Sequence, residues 1–345
     1  MNILMIGPDS KEKGGIATVV ANFKTYYSSA DHQLFFLSSW SREDRWLTEW
    51  RALFSIRKII FEKKIDIVHF HVAQKGSFFR KMLLRKLIPH YCKIVFHMHA
   101  SQFDVFYQKS SSLTRKWIRQ ALNKIDHIVV LGGEWEKFYR RLTRTPISVI
   151  QNAVCIPETV FFNKRARSVV TFGQIGKRKG SYDLLEVAKN IEPIFPDICF
   201  TLYGDGEVEK VQKQIEKMRL TNVKLGGWVR KSEQEKILKN TLLHYLPSYH
   251  EGLPMAVLET MAAGIPNMST DVGSISDAVK NGKNGILTKS GDIAEMTKQM
   301  LQFLEHPTLQ MQYSRNAREK IEKEFSIKHY NSRWTQFYNS IYLKE

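Results

Sequence analysis

Short Val- and Ile-rich runs alternate with helix-length stretches along this chain, and the alternation is played through twice. NILMIG (2–7), LFFLS (34–38), DIVHFHV (66–72), KIVFHMHA (93–100), HIVVLG (127–132) and ISVIQN (147–152) form the first set. SVVTFGQI (168–175), ICFTLYG (198–204), NVKLGG (222–227), LLHYLPS (242–248), NMST (267–270) and GILT (285–288) form the second. Runs this apolar, separated by room for a crossover helix, build parallel sheets covered on both faces. The fold class expected is therefore α/β, two doubly wound Rossmann-like domains facing each other across a cleft. Ligands in such sheets bind beyond the carboxyl ends of the strands. At 345 residues there is length for both domains. The expected division is 1–165, 166–325 and a terminal helix at 326–345, whose HYNSRWTQFYNSIY is aromatic enough to pack back on the first domain. CIPETVFFNKRARS (155–168), poor in strand signals, reads as the linker.

The net charge of +18 is unevenly spread. Residues 1–165 hold 27 Lys and Arg against 13 Asp and Glu, whereas the remainder holds 25 against 21. Within the first half, KGSFFRKMLLRKLIPHYCK (75–93) carries six basic residues and no acid among its apolar ones, the pattern of a basic amphipathic helix on anionic lipid. Trp40, Trp46 and Trp50 precede it and suit either a membrane interface or a core. No zinc finger, RRM motif or KH loop accompanies the charge, so nucleic acid is not the expected partner. Apolar runs fall short of the roughly 20 residues a spanning helix needs, and MNILMIGPDS lacks the order of a secretory signal. A cytoplasmic protein lying on the inner membrane face is expected. Cys92, Cys155 and Cys199 show neither disulfide nor zinc spacing, and no metal site is expected.

HEGLPMAVLETMAAGIP (250–266) is the most informative stretch. Glu251 and Glu259 flank a Gly252-Leu253-Pro254 turn that leads into a helix apolar all round, which is a buried helix. A carboxylate in such a helix needs a partner. Pro254 suits a first helical position and Gly264 stops the helix. The free amides from Gly252 to Met255 can hold phosphate or sugar oxygens, and Glu259 can accept hydrogen bonds from a ribose diol; an internal ion pair is the alternative. FGQIGKRKGSYDLL (172–185) brings Lys177, Arg178 and Lys179 to a helix entry, an anion site for a diphosphate. Gly14-Gly15 opens a helix in the same manner. His97 and His99 alternate at a strand end and so share a face, with the same alternation at His69 and His71 one strand earlier. No third metal ligand is suggested by that spacing.

Together these residues resemble the retaining nucleotide-sugar glycosyltransferases of family 4, of GT-B fold, as found in bacterial surface-polysaccharide synthesis. The resemblance rests on the E-x7-E pattern of Glu251 and Glu259, the Gly14-Gly15 loop, FHMHAS, the GxxxxxKG run from Gly173 to Gly180, and the segment from GIP to VGSISD at 264–277. It implies that Glu259 binds the nucleotide ribose, Glu251 the donor sugar, Lys179 the diphosphate, and His99 the sugar near the reacting centre. It also places Gly15 beside the donor phosphates and assigns Gln174, Arg178 and the Gly252, Leu253, Pro254, Met255 turn to donor binding. Gln174 departs from the family pattern, which commonly has Arg there, so Lys177 or Arg178 would have to supply the charge. The expected chemistry is front-face attack by the acceptor without a metal or other cofactor, UDP being the expected nucleotide. The expected acceptor is a membrane-anchored, polyprenyl-diphosphate-linked saccharide of capsule or O-antigen type. Other GT-B activities, an epimerase or a phosphorylase, and a non-catalytic GT-B scaffold binding a nucleotide sugar or a partner enzyme are the competing readings.

Overall fold

The computed structural model describes residues 1–342, apart from the side chain of Arg45. They form two compact units, one of Met1–Asn152 with the helix from Ile327 onward, the other Ala153–Ser326. Residues 153–165, on the first-domain side of the 165/166 division, fasten to the second unit. Val154 N–H donates to Phe325 O at 3.0 Å and Phe161 N–H to Ala263 O at 2.8 Å.

The first unit holds β1 (Asn2–Pro8), β2 (Gln33–Trp40), β3 (Ile67–Val72), β4 (Lys93–Met98), β5 (His127–Val130) and β6 (Ile147–Val149). They pair in parallel in the order β2-β1-β3-β4-β5-β6, so the order reverses between β1 and β3. Its helices are α1 (Gly15–Tyr26), α2 (Arg45–Glu62), α3 (Gly76–Arg85), α4 (Phe103–Lys109), α5 (Ser112–Leu122) and α6 (Gly133–Arg140). The two-residue period of a strand sorts the side chains. Val68, Phe70 and Val72 join Phe96, Ile56 and Phe78 in the apolar core on one face. His69 and His71 go to the other, and the register pairs His71 with His97 on β4. That second face is closed by Phe23 of α1 and by the terminal helix Ile327–Tyr342, which belongs to this unit. Trp334 is fully buried against the rings of His69 (4.8 Å) and His97 (5.0 Å), and the Tyr338 hydroxyl meets His69 Nδ1 at 2.6 Å.

The second unit holds β7 (Ser168–Phe172), β8 (Cys199–Tyr203), β9 (Val223–Gly227), β10 (Thr241–Leu246), β11 (Asn267–Thr270) and β12 (Gly285–Thr288), ordered β12-β11-β10-β7-β8-β9. Counted within the unit this is the 3-2-1-4-5-6 order of a dinucleotide-binding sheet, reversing between β7 and β10. Helices α7 (Ser181–Ile191), α8 (Val208–Met218), α9 (Lys231–Leu238), α10 (Met255–Ala262), α11 (Ile275–Ala278), α12 (Ile293–Glu305) and α13 (Pro307–Glu324) cover it, and Ile327–Tyr342 is α14. All twelve strands expected from the apolar runs are present. Helix α10 is buried as its composition requires, with Val257, Leu258, Met261 and Ala262 fully enclosed.

The stretch 75–93 is not one long helix. Helix α3 ends at Arg85, and Phe78, Met82 and Leu84 go into the core, while Phe79 and Leu83 stay exposed. Lys81 is buried with them. Trp46 and Trp50 resolve to surface positions. Among the described residues no helix is long and apolar enough to cross a membrane.

Trp334 holds the histidine face closed, so Trp334→Ala should cost about 3–5 kcal/mol of stability, read as a fall in the denaturant midpoint. A change below about 1 kcal/mol would show that α14 is dispensable to the first unit.

Candidate active site

In the second unit the functional side chains gather where the strand order reverses, beyond the ends of β7 and β10. After β7 the chain makes one tight turn of Lys177–Lys179 and enters α7 through Gly180, at φ 70°. A side chain at Gly180 could not fit, because its Cβ would lie 1.9 Å from the Pro247 carbonyl oxygen. This close approach, sealed by the Tyr249 N–H donating to Arg178 O at 2.9 Å, brings the cations to the loop after β10. Lys179 Nζ donates to Glu251 Oε1 at 2.5 Å, and the Ser248 hydroxyl donates to the same oxygen at 2.7 Å. Arg178 lies 4.0 Å from Glu251 Oε2 and donates to the His250 carbonyl at 3.2 Å. Glu251 is 5% exposed, so its charge is matched where it is buried.

Beyond Glu251 the buried turn Gly252-Leu253 is clamped by the next loop, Ser274 N–H donating to Gly252 O at 2.8 Å. Pro254 is the N-cap, with extended backbone, and Met255 is the first helical residue. The proline therefore sits one position earlier than its ring geometry predicts, and no side chain caps the amides of this helix start. Glu259 is half-buried, and its partner is a neutral amide: Gln234 Nε2 of α9 donates to Oε2 at 3.1 Å. Among the described residues Glu259 forms no ion pair, so the internal-pair alternative is not realised. Burial holds its carboxyl above the ordinary range, opposed by the Gln234 hydrogen bond and by Lys231. Gln174 is exposed beyond β7.

In the first unit His99 follows the end of β4, its backbone N–H donating to Val72 O at 2.8 Å. Its Nε2 meets His71 Nδ1 at 3.0 Å. Burial lowers its pKa to about 3, so at neutral pH it is an uncharged imidazole that can exchange hydrogen bonds with hydroxyls. His97, expected beside it at an open site, is fully enclosed against Trp334 and its neighbours. The sheet also brings together three imidazoles the spacing did not join, those of His69, His71 and His97. Their nitrogens lie within 4.8 Å of one another, a looser set than the roughly 3.4 Å that a tetrahedral zinc bonded at about 2.1 Å draws its ligands to. Gly15 is the first residue of α1, which has no side-chain cap.

Two family models between them match most of the chain: Glycosyltransferase Family 4 over residues 13–156 and Glycosyl transferases group 1 over residues 156–320. The chain belongs to the GT-B glycosyltransferases. It is 27% identical over 325 residues, 88% of this chain and 82% of the other, to the Escherichia coli UDP-Gal:alpha-D-GlcNAc-diphosphoundecaprenol alpha-1,3-galactosyltransferase. It is 26% identical over 66% of its length, and 46% of the other's, to the Staphylococcus aureus poly(ribitol-phosphate) alpha-N-acetylglucosaminyltransferase. Among solved structures, Thermosynechococcus elongatus sucrose-phosphate synthase matches with a TM-score of 0.83 at 15% identity, covering 100% of both chains. Anabaena HepE in complex with UDP-glucose matches at 0.78 and 16% identity, over 99% of this chain and 100% of that one. These relatives support a catalytic transferase over a scaffold. Ser248 and Gln234, which hold Glu251 and Glu259, were missed by motif reasoning, while His71, the partner of His99, was signalled only by the alternation of HFH.

Because the native state raises the Glu259 pKa above 4.5, it binds that proton more tightly than the unfolded chain does. The stability this contributes is present below pH 4.5 and lost as pH rises through the native value. Glu259→Gln should therefore raise the melting temperature of the ligand-free protein at pH 8 and leave it unchanged at pH 4. Equal melting temperatures at pH 8 would contradict the assignment.

Proposed function

We propose that the protein transfers a sugar from a nucleoside-diphosphate sugar, UDP being the expected nucleotide, to a polyprenyl-diphosphate-linked saccharide, with retention of configuration and without a metal. The observation that carries the donor half is the Lys179–Glu251 pair at the point where the second sheet reverses, with an uncapped helix start beside it. Lys179 and Arg178 would neutralise the charge that builds on the leaving diphosphate, where fixed donors are worth most. With Oε1 of Glu251 occupied by Lys179 and Ser248, Oε2 is the oxygen that can orient the sugar hydroxyls. Glu259, lacking a charged partner, is suited to a ribose diol. In the transfer step the anomeric C–O bond breaks with its electron pair going to the diphosphate. The acceptor oxygen bonds to the same face of the carbon and its proton passes to the departing phosphate oxygen. Neutral His99 would hold a sugar hydroxyl during that step.

The acceptor assignment draws on the E. coli relative, whose substrate is named as a diphosphoundecaprenol-linked sugar. A surface polysaccharide of capsule or O-antigen type is the product class that such acceptors serve. Lipid-linked acceptors require the enzyme to work at a bilayer, and the first unit has a face that fits anionic lipid. Helix α2 buries Ala52, Ile56 and Ile60, yet exposes Trp46, Trp50, Phe54 and Phe61, with Trp50 and Phe54 stacked at 5.7 Å. Phe54 and Phe61 are 76% and 81% exposed. Arg51, Arg57 and Lys58 surround them on the surface. An aromatic stripe flanked by cations is the chemistry of an anionic interface, and it supports the reading that the protein works on the inner face of the cell membrane.

UDP at about 100 times its Kd should stabilise the protein by roughly 2.7 kcal/mol, and Glu259→Ala should lose most of that response. A protein unmoved by every nucleoside diphosphate would end the donor assignment. In the transfer reaction, proton NMR should show the product with the anomeric configuration of the donor, at a rate that EDTA leaves unchanged. In flotation experiments at low salt the protein should rise with phosphatidylglycerol vesicles and not with phosphatidylcholine ones, and a Trp50→Glu, Phe54→Glu double variant should remain below. Equal flotation of the variant would remove α2 from the membrane face.

A further inference from the structure

Glu259 shares its site with a second side chain that has an acceptor to spare. Helix α9 starts where the Arg230 N–H donates to Glu233 Oε2 at 2.9 Å, and Gln234 follows directly. Facing it is Glu259, in the second turn of α10. Both helices contribute to one apolar cluster, in which Ile237 and Leu238 of α9 and Ala256 of α10 pack with Val170 and Phe172 of β7. Ile237 comes three residues after Gln234 and Ala256 three before Glu259, so each polar residue shares a helix face with an apolar one of the cluster. That packing holds the amide and the carboxylate opposite each other, both half-buried.

The hydrogen bond between them decides which way the amide points. A carboxylate oxygen only accepts, so Gln234 Nε2 is the atom that lies 3.1 Å from Glu259 Oε2, as donor. The remaining oxygen of each group, Oε1 of Gln234 and Oε1 of Glu259, has no hydrogen-bond partner among the described residues, and neither is sealed from solvent. Lys231, one turn before Gln234 on α9, favours the charged form of the carboxyl against the burial that resists it. Two open acceptors, one neutral and one charged, are thus held side by side by a bond that occupies the other half of each group. A vicinal diol presents the two donors that such a pair can take.

We propose that Gln234 is a second ribose-reading residue, its Oε1 accepting one hydroxyl of the donor's ribose while Glu259 Oε1 accepts the other. The proposal rests on the reading of Glu259 as the ribose contact of a nucleoside diphosphate. It divides recognition of the diol between two side chains, where a carboxylate alone would take both hydroxyls. A site that hydrogen-bonds a ligand hydroxyl discriminates against the analogue lacking it, because the acceptor on the protein is left unpaired. Ribonucleotides are selected over deoxyribonucleotides on that account.

The probes are UDP, 2′-deoxy-UDP and 3′-deoxy-UDP, each titrated by calorimetry into the full-length protein. The wild type should bind either deoxy analogue about 10-fold or more weakly than UDP. Gln234→Met keeps the length of the side chain without its polar atoms. It should bind UDP about 10-fold more weakly and lose its discrimination against one analogue only, keeping most of that against the other. Its melting temperature should match that of the wild type. Carbon-13 NMR of the ligand-free variant should show the Glu259 carboxyl titrating at higher pH, since the Gln234 bond that lowers its pKa is gone. Undiminished discrimination against both analogues in Gln234→Met would overturn the proposal, and so would an equal loss against both, which would make Gln234 a prop for Glu259 alone. A wild type that binds all three nucleotides alike would instead take Glu259 off the ribose, and one that binds none of them would take the donor out of the second unit.

Discussion

The candidate active site depends on one constraint, the point at which a parallel sheet reverses its strand order. At such a point neighbouring strands send their following loops in opposite directions, and the carboxyl ends are left uncovered. In the second unit the reversal sets β7 beside β10, and the loops after those strands are the ones that carry Lys179 and Glu251. Gly180 allows them to meet, because the backbone after β7 passes within van der Waals reach of Pro247 only where no Cβ intervenes. The ion pair is therefore a product of sheet topology as much as of its two residues. In the first unit the reversal between β1 and β3 sets the Gly14-Gly15 helix start beside His71 and the head of α3.

The two reversals are built with opposite electrostatics. In the second unit each carboxylate has a partner matched to its burial: Glu251 takes Lys179, and Glu259 takes the amide of Gln234. In the first unit the cations outnumber the acids, and Lys81 is buried with only a hydroxyl to hold. One half thus presents an internally compensated cluster, the other a face on which cations outnumber acids.

Twelve strands could be read from Val and Ile runs because parallel strands buried on both faces leave a continuous apolar signature. Glu251, Glu259, Lys179 and the turn around Gly252 were equally legible, since glycine and proline mark where the chain bends and charges in an apolar stretch demand an explanation. What could not be read depends on which strands are neighbours. His71 meets His99 only because β3 lies beside β4, and Lys179 meets Glu251 only because β7 lies beside β10. Lys81 was hidden for a different reason. In FFRKMLLRK a lysine looks solvated, and only the packing of α3 against the sheet turns that side chain inward.

The imidazoles enclosed beneath α14 give the first unit a property the second barely shares. His69, His71, His97 and His99 are all held neutral by burial, whereas the second unit encloses His244 alone among its described histidines. Unfolded histidines take up protons below about pH 6.5, and each one denied a proton in the native state costs about 1.4 kcal/mol of stability per pH unit below that point. Acidification therefore loads the first unit with a fourfold penalty, while the raised carboxyl of Glu259 acts in the opposite sense in the second. In acid the first unit therefore carries a strain that the second is largely spared.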